Sequence, residues 1–371
     1  MTRSTSGWDE SDVRVRPNKK GSRPRTKDRP AHDDAVIGRI ITVDRGRYTA
    51  VVDEDTANER TVIAARAREL RRTPVVAGDL VALVGDVSGA PDTLARLVRV
   101  EERRTLLRRS ADDTDPVERV VVANADQLVI VVAAANPEPR TGFIDRALVA
   151  AYDAGISPVL CITKADIKDP ADLLANYEHL DMDVIISRTA AADASGIDAR
   201  SDDGLSARLQ GTAVEALHEV LKNNVSVLVG PSGVGKSTLV NALTGSARAT
   251  GGVNAVTGRG RHTSSSALAL RLSDSPAGSW IIDTPGIRSF GLAHVDPDRI
   301  LQAFPDLEPG TADCERGCRH DSLAVGCGLD PWVEGGHAGP AGPARLASLR
   351  RLLGTGTRTE NKSSAKELGE Q

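Results

Sequence analysis

Aromatic side chains are scarce: three Trp, three Tyr and three Phe in 371 residues. A surface that grips single strands by stacking base upon base needs aromatic platforms, so that mode of binding is excluded. No apolar run approaches the ~20 residues of a membrane span, and the charged N-terminus leads into no apolar stretch of the kind a secretory signal needs. The expectation is a cytoplasmic chain with no membrane partner. Neither sign of charge dominates: 47 Lys plus Arg stand against 51 Asp plus Glu, a net charge of −4. A polycation that binds nucleic acid by bulk charge is therefore also excluded. Four Cys are too few for a disulfide scaffold, and three of them fall between Cys314 and Cys327, which points to metal in a reducing compartment. Lysine is short as well, with nine among the 47 basic residues. The four between residues 31 and 361 are Lys164, Lys168, Lys222 and Lys236.

What is present is enough for real cores, with 40% hydrophobic residues, and at ~150 residues per domain the length suggests two or three domains. Residues 1–33 carry little to bury; nine basic and four acidic residues in the first thirty read as a disordered basic arm. Residues 34–110 hold short β-rich runs separated by turn residues: Ala35–Val43, Arg47–Val52, Arg60–Ala64, Val75–Val84 and Leu94–Val100. That spacing, and the Gly78-Asp79 pair before a β-run, predict a small barrel of the oligonucleotide-binding type. Its single aromatic is Tyr48, so any RNA contact should run through Arg and phosphate. Glu101–Ser110 reads as a linker. Residues 111–295 alternate buried-strand runs with helix patterns, the α/β signature, and residues 188–204 read as an exposed insertion. Residues 296–355 hold the Cys cluster and end in a helix at Ala344–Leu353; residues 356–371 read as a flexible tail.

Gly230-Pro231-Ser232-Gly233-Val234-Gly235-Lys236-Ser237-Thr238 follows a β-run and precedes a helix pattern. It matches the P-loop, G-x-x-x-x-G-K-[ST]. Glycines let backbone N–H groups turn inward around phosphate oxygens, and the following helix aims its positive end at the same anion. Lys236 is positioned for the β- and γ-phosphates and the Ser237 hydroxyl for Mg²⁺. In a chain that prefers Arg about fourfold, a Lys here marks a place for a slim point charge. Trp280-Ile281-Ile282-Asp283-Thr284-Pro285-Gly286 is a buried strand ending in D-x-x-G. Asp283 would hold Mg²⁺ through water, and the Gly286 N–H would sense the γ-phosphate. Between the two motifs, Gly258–Ser265 offers Thr263 as a hydroxyl ligand to Mg²⁺ in the triphosphate state, with Ser264 its competitor.

Val159–Thr163 runs into Thr163-Lys164-Ala165-Asp166, a T-K-x-D close to the N-K-x-D of GTP-binding proteins. The Asp166 carboxylate can accept the paired N–H groups of guanine, which adenine lacks, and the Lys164 stem can stack on the base. Thr163 keeps a hydroxyl but not the amide fork of Asn, which puts nucleotide affinity in question and leaves guanine identity intact. The base motif comes before the phosphate and sensor motifs, the reverse of ordinary GTPases. This order reads as a circularly permuted GTPase, cut in one loop and rejoined where termini lie close. Everything after residue 290 is then tied directly to the sensor loop. The residue after D-x-x-G is Ile287, which cannot orient an attacking water as Gln does, so intrinsic hydrolysis should be slow. His262 is one candidate to supply that function; a phosphate or RNA contact is another role for it.

Cys314-Glu315-Arg316-Gly317-Cys318-Arg319-His320, then Cys327, offers three thiolates and an imidazole, a donor set that suits structural Zn²⁺ with no open position. Little apolar density surrounds it, so the metal is expected to replace part of a core.

These residues together resemble the family of ribosome small-subunit-dependent GTPase A, a circularly permuted ribosome biogenesis GTPase. The resemblance covers roughly residues 34–355. It rests on the barrel, Ala123-Asn124-Ala125-Asp126-Gln127, Thr163–Asp166, Gly230–Thr238, Gly258–Thr263, Asp283–Gly286 and the Cys/His cluster. It implies a GTPase, acting with Mg²⁺, that serves late maturation of the small ribosomal subunit and is stimulated by it. It also implies a barrel and zinc domain that contact ribosomal RNA, and a monomer. Three departures stand out. Thr163 replaces Asn; the zinc spacing is C-x3-C-x-H-x6-C where the family has C-x4-C-x-H-x5-C; and Arg188 follows Ser187, the expected guanine-flanking serine, where the family has Ala. The competing class is an RNA-binding assembly scaffold with a vestigial nucleotide site, disfavoured because every phosphate and Mg²⁺ residue is present. An ATP-dependent P-loop enzyme is a third reading, which Asp166 opposes.

Overall fold

The computed structural model describes residues 32–70, 73–110, 118–178, 180, 182–188, 212–245, 267–284, 287, 290–292, 295–321 and 324–353. The basic arm up to residue 31, the insertion from residue 189, the tail, and the Gly258–Ser265 stretch lie outside them.

Five strands near the N-terminus close on themselves: β1 (Val36–Asp44), β2 (Arg47–Val52), β3 (Arg60–Arg66), β4 (Leu80–Gly85) and β5 (Ala95–Val100). The order is β1-β2-β3-β5-β4, with β4 returning to pair β1. The β3–β5 pair is parallel and the others are antiparallel. Alternation along the strands sends Ile40, Tyr48, Ala50, Val52, Val62, Ala64, Leu83 and Leu97 into one core. Tyr48 is thus a core residue, with the Arg66 guanidinium 5.6 Å from its ring centroid, and is no platform for a base.

The Glu101–Ser110 stretch is not a linker. Arg103 donates from Nε and Nη2 to both oxygens of fully buried Asp79, at 2.7 and 2.9 Å. Leu106–Arg109 forms β6, which pairs antiparallel with β7 (Arg119–Ala123). The alternation that marks a strand is broken there by four arginines, which hid it in the sequence. The Gly78-Asp79 pair now has its reason. Gly78 sits at φ +87°, where a Cβ would come 2.1 Å from the Ala123 carbonyl oxygen, so barrel and hairpin meet at a bare backbone. Asn124 completes the seam, donating to Gly78 O at 3.0 Å and accepting from Arg104 N at 2.8 Å.

The larger sheet comprises β8 (Gln127–Ala133), β9 (Ser157–Thr163), β10 (Asp183–Ile186), β11 (Val225–Val229), β12 (Leu268–Arg271) and β13 (Trp280–Asp283). Its order is β10-β9-β8-β11-β13-β12, parallel except for β12. Strands buried on both faces read as unbroken apolar runs. In β8, Leu128, Ile130 and Val132 face α1 (Thr141–Ala154), while Val129 and Val131 face α3 (Thr212–Leu221) and α4 (Lys236–Thr244). A short α2 (Ala171–Leu174) follows β9. Thr42 of β1 pairs with Leu268 of β12, so barrel and sheet form one run of eleven strands.

The C-terminal part contains α5 (Pro297–Gln302), α6 (Leu329–Glu334) and α7 (residues 342–353). It carries more core than its Gly and Pro suggest. Phe304, Leu307, Leu329, Leu346 and Leu349 are buried in the same cluster as α1. Arg345 lies within that cluster, paired with Asp306 at 2.9 Å and stacked 4.6 Å from the Phe304 ring centroid. Asp145 on α1 is buried too, accepting from Tyr177 at 3.0 Å and from Ser348 of α7. Burial raises its pKa above the ordinary carboxylate value. Among the described residues, no helix is long and apolar enough to cross a membrane.

Candidate functional site

The loop 230–235 links the central strand β11 to α4. Three glycines make it possible. At Gly230 a Cβ would meet Val131 O at 2.5 Å, while Gly233 and Gly235 take φ of +83° and +92°. Val234 is the loop's anchor, 1% exposed in the core beneath it. Gly235 immediately precedes α4, whose first residue is Lys236; Leu239 N closes the first turn on Gly235 O at 3.0 Å. The free N–H groups of a helix's first turn point out of its end, which is the anion-binding geometry expected of this motif.

Asp283 ends β13, which lies beside β11 with Asp283 opposite Leu228. Its Oδ1 accepts from Lys236 Nζ, in an ion pair that is nearly buried on both sides. The neighbouring Thr284 hydroxyl donates to Leu228 O at 2.7 Å, fixing the strand end. Ser237 is exposed on the first turn of α4. Gly286, Thr263 and His262 lie outside the described residues. Ile287 packs into the core at 4% exposure, among the cluster that also holds Phe290. Its side chain is withdrawn from solvent.

The second loop begins where β9 ends. The Thr163 hydroxyl is buried and donates to Val234 O at 2.5 Å; Val132 O lies at 3.2 Å. Thr163 therefore performs a tether to the phosphate loop that needs only a hydroxyl. Lys164, at φ +57°, donates from Nζ to Gly233 O at 2.8 Å and to Asn136 O. Ala165 N donates to Ser187 O at 3.1 Å, and Asp166 stands exposed beyond them. Among the described residues the buried Ser187 hydroxyl meets no hydrogen-bond partner. Asn136 was not foreseen; the only cue was an Asn-Pro dipeptide after a buried strand.

At the C-terminus, Cys314, Cys318, His320 and Cys327 place their four donor atoms within 4.8 Å of one another. Cys314 Sγ lies 4.0 Å from Cys327 Sγ and 3.5 Å from His320 Nδ1, and Cys327 Sγ lies 3.6 Å from the same nitrogen. A tetrahedron with metal–sulfur bonds of about 2.3 Å has edges of about 3.8 Å, so the four fit one such ion. The Gly328 N–H donates to Cys314 Sγ at 3.1 Å, as a thiolate would require. Burial lowers the His320 pKa, favouring the neutral imidazole that binds metal. It also pushes the Cys327 thiol up to about 11, so binding has to release that proton. The fourth cysteine, Cys161, is fully buried in β9 and inert.

A parallel sheet with its phosphate loop on the central strand, and its base loop earlier in the chain, defines a circularly permuted P-loop GTPase fold behind an N-terminal barrel. Two solved structures share it. The crystal structure of YjeQ from Thermotoga maritima is similar at a TM-score of 0.60 and 22% identity, over 86% of this chain and 99% of that one. That of YloQ, described as a circularly permuted GTPase, is similar at 0.59 and 22%, over 90% and 99%. The family model of the RsgA GTPase matches residues 100–293, and the chain belongs to that family. A relative from Pseudomonas aeruginosa, named small ribosomal subunit biogenesis GTPase RsgA, is 39% identical over 242 residues, 65% of either chain. One of the same name from Marinobacter nauticus is 37% identical over 260 residues, 68% of this chain and 66% of that one. The aligned region thus spans just under two thirds of these relatives' length.

Proposed function

We propose that the chain binds GTP between the Thr163–Asp166 and Gly230–Thr238 loops and hydrolyses it to GDP and phosphate in the service of small-subunit maturation. One observation carries the reading: the two loops are tied together, by Thr163 to Val234 and by Lys164 to Gly233. Base and phosphates are thereby held at a fixed separation. Asp166 would accept the guanine N–H pair, with Ser187, whose carbonyl is bonded by Ala165 N, nearby in the same loop pair. The loop N–H groups and Lys236 would take the phosphates. Ser237 and Asp283, with Thr263, would hold Mg²⁺, which offsets charge developing on the phosphates. Gly286 would read the γ-phosphate. Cys314, Cys318, His320 and Cys327 would hold a structural Zn²⁺.

Ile287, buried and aliphatic, cannot orient a water, so the ordering group comes from elsewhere; His262 and the small subunit are the candidates. The relatives' name is the ground for choosing that partner, with ribosomal RNA met by the barrel and the zinc region. The protein would act as a cytoplasmic monomer in five parts: arm 1–33, barrel 34–110, nucleotide domain 111–295, zinc domain 296–355 and tail 356–371. The test is GTP turnover by the purified chain, alone and with saturating small ribosomal subunits, against ATP. Slow turnover that rises by orders of magnitude with subunits, for GTP only, supports the reading. Turnover that ignores the subunit leaves a GTPase but removes the ribosomal assignment.

A further inference from the structure

The barrel's β2–β3 loop, Asp53-Glu54-Asp55-Thr56-Ala57-Asn58-Glu59, carries four carboxylates in seven residues. None of the four is left to solvent alone. Asp53 is taken by Arg60 within the barrel. The other three reach across to the β12–β13 hairpin of the nucleotide sheet. Arg271 donates to Asp55 at 2.6 Å and to Glu59. Gly278 N donates to Asp55 at 2.9 Å, and Trp280 Nε1 donates to Glu54 at 2.5 Å. Arg271 also lies 4.2 Å from the Trp280 ring centroid and is its register partner. Arg39 of β1 holds Glu54 from the barrel side at 2.9 Å. Packing alone would be met by apolar contact; a polar network of this density specifies one relative geometry of barrel and hairpin.

The placement gives the network a reach. Leu268, at the far end of β12, is opposite Asp283 on one side and barrel Thr42 on the other. At about 4.8 Å between strands, the barrel wall stands only about 10 Å from the residue that pairs with Lys236. Trp280 and Asp283 are the two ends of the same four-residue strand.

We propose that Arg271 and Trp280, gripped by Glu54, Asp55 and Glu59, form a coupling latch: positioning residues through which a ligand on the barrel and a nucleotide at Asp283 bias one another. The inference rests on the nucleotide reading above. Its reciprocity follows from linkage, since whatever the nucleotide does to the barrel a barrel ligand must do to the nucleotide.

The test needs no truncation. The chain has three tryptophans, Trp8, Trp280 and Trp332, so fluorotryptophan labelling of the full-length protein gives three fluorine NMR signals, assigned with Trp280→Phe. The Trp280 signal is expected to move between Mg·GDP and a non-hydrolysable GTP analogue. Arg271→Gln should collapse the movement and lower subunit-stimulated hydrolysis about tenfold, with basal hydrolysis within about twofold of the parent. Asp55→Asn with Glu59→Gln, which leaves the hairpin intact, should do the same, and the triple variant should do no more. A Trp280 signal identical in the two nucleotides, or full stimulation in folded Arg271→Gln, makes the network a static staple and overturns the proposal. A separate nucleotide titration keeps the two readings apart: a chain that binds neither nucleotide sinks both, and one that binds both without moving Trp280 sinks only the latch.

Discussion

Replacing Thr163 by Val removes one hydroxyl and adds one methyl at almost constant volume, in a position 4% exposed. The hydroxyl has a single proton, and the 2.5 Å contact with Val234 O is closer than the 3.2 Å one with Val132 O, so the phosphate loop receives it. Its loss removes a neutral hydrogen bond worth about 1 kcal/mol net and leaves a carbonyl unpaired, for a total of about 1–2 kcal/mol. That energy now holds the base loop against the phosphate loop, so its loss lowers the fraction of chains ready to bind. Converted to affinity, the expected weakening is roughly 5- to 30-fold. GTP and GDP should suffer equally, because both use the same base and the same loop. Preference for guanine over other bases should not change, since Asp166 is untouched. Titration with a fluorescent GDP and a fluorescent GTP analogue, alongside thermal unfolding, reads all three quantities. Affinities within twofold of the parent, despite a lowered melting temperature, would show that the hydroxyl serves the fold and not the ligand. Unequal losses for the two nucleotides would tie Thr163 to the γ-phosphate, the one group that GTP has and GDP lacks, and break the reasoning.

Asp166→Asn should shift preference from GTP towards the xanthosine triphosphate; unchanged GTP binding by that variant, measured by competition, refutes the base assignment. One equivalent of zinc per chain is expected by elemental analysis, and Cys327→Ser should lose it and unfold the C-terminal segment while leaving mant-GDP binding measurable. Asp145→Asn tests a buried carboxylate whose folded pKa is raised mainly by burial. The folded state then holds its proton longer than the unfolded one, so stability declines as pH climbs from the ordinary carboxylate range through the raised value. Above that value the penalty is complete. The melting temperature of the parent, relative to Asp145→Asn, should therefore drop between acid and neutral pH; a constant difference would show that Asp145 carries no linked proton.

The turn of the phosphate-loop motif was legible because backbone geometry dictates its glycines. Gly230, Gly233 and Gly235 stand where a side chain would collide or where φ is positive, and such positions leave an imprint on sequence. The strands of the sheet were legible because burial on both faces leaves long apolar runs, as in Leu128–Ala133 of β8. The β6–β7 hairpin was not, because Arg108, Arg109 and Arg119, none of them buried, obscure the alternation. The core of the C-terminal part was missed for a different reason. Phe304, Leu307 and Leu329 each look isolated in sequence and meet only when α5, α6 and α7 fold against α1. Nor could the sequence show that the Thr163 hydroxyl reaches the phosphate loop, because that depends on how close Val234 O lies.

The pairing of Thr42 with Leu268 bears on solubility as well as on shape. Strand β12 is the outermost strand of the nucleotide sheet, antiparallel to its neighbour and carrying Leu268, Ala269 and Leu270 in sequence. Such a border, left bare, is a template for a second chain. The barrel meets it at both ends, Thr42 pairing with Leu268 and Asp55 and Glu59 taking Arg271. A fragment that begins at residue 100 and keeps α5, α6 and α7 retains the whole phosphate loop and the core around α1 yet uncovers that border. It should self-associate in sizing chromatography where the full chain does not. The barrel would then be a guard for the enzyme's own sheet, whatever else it touches.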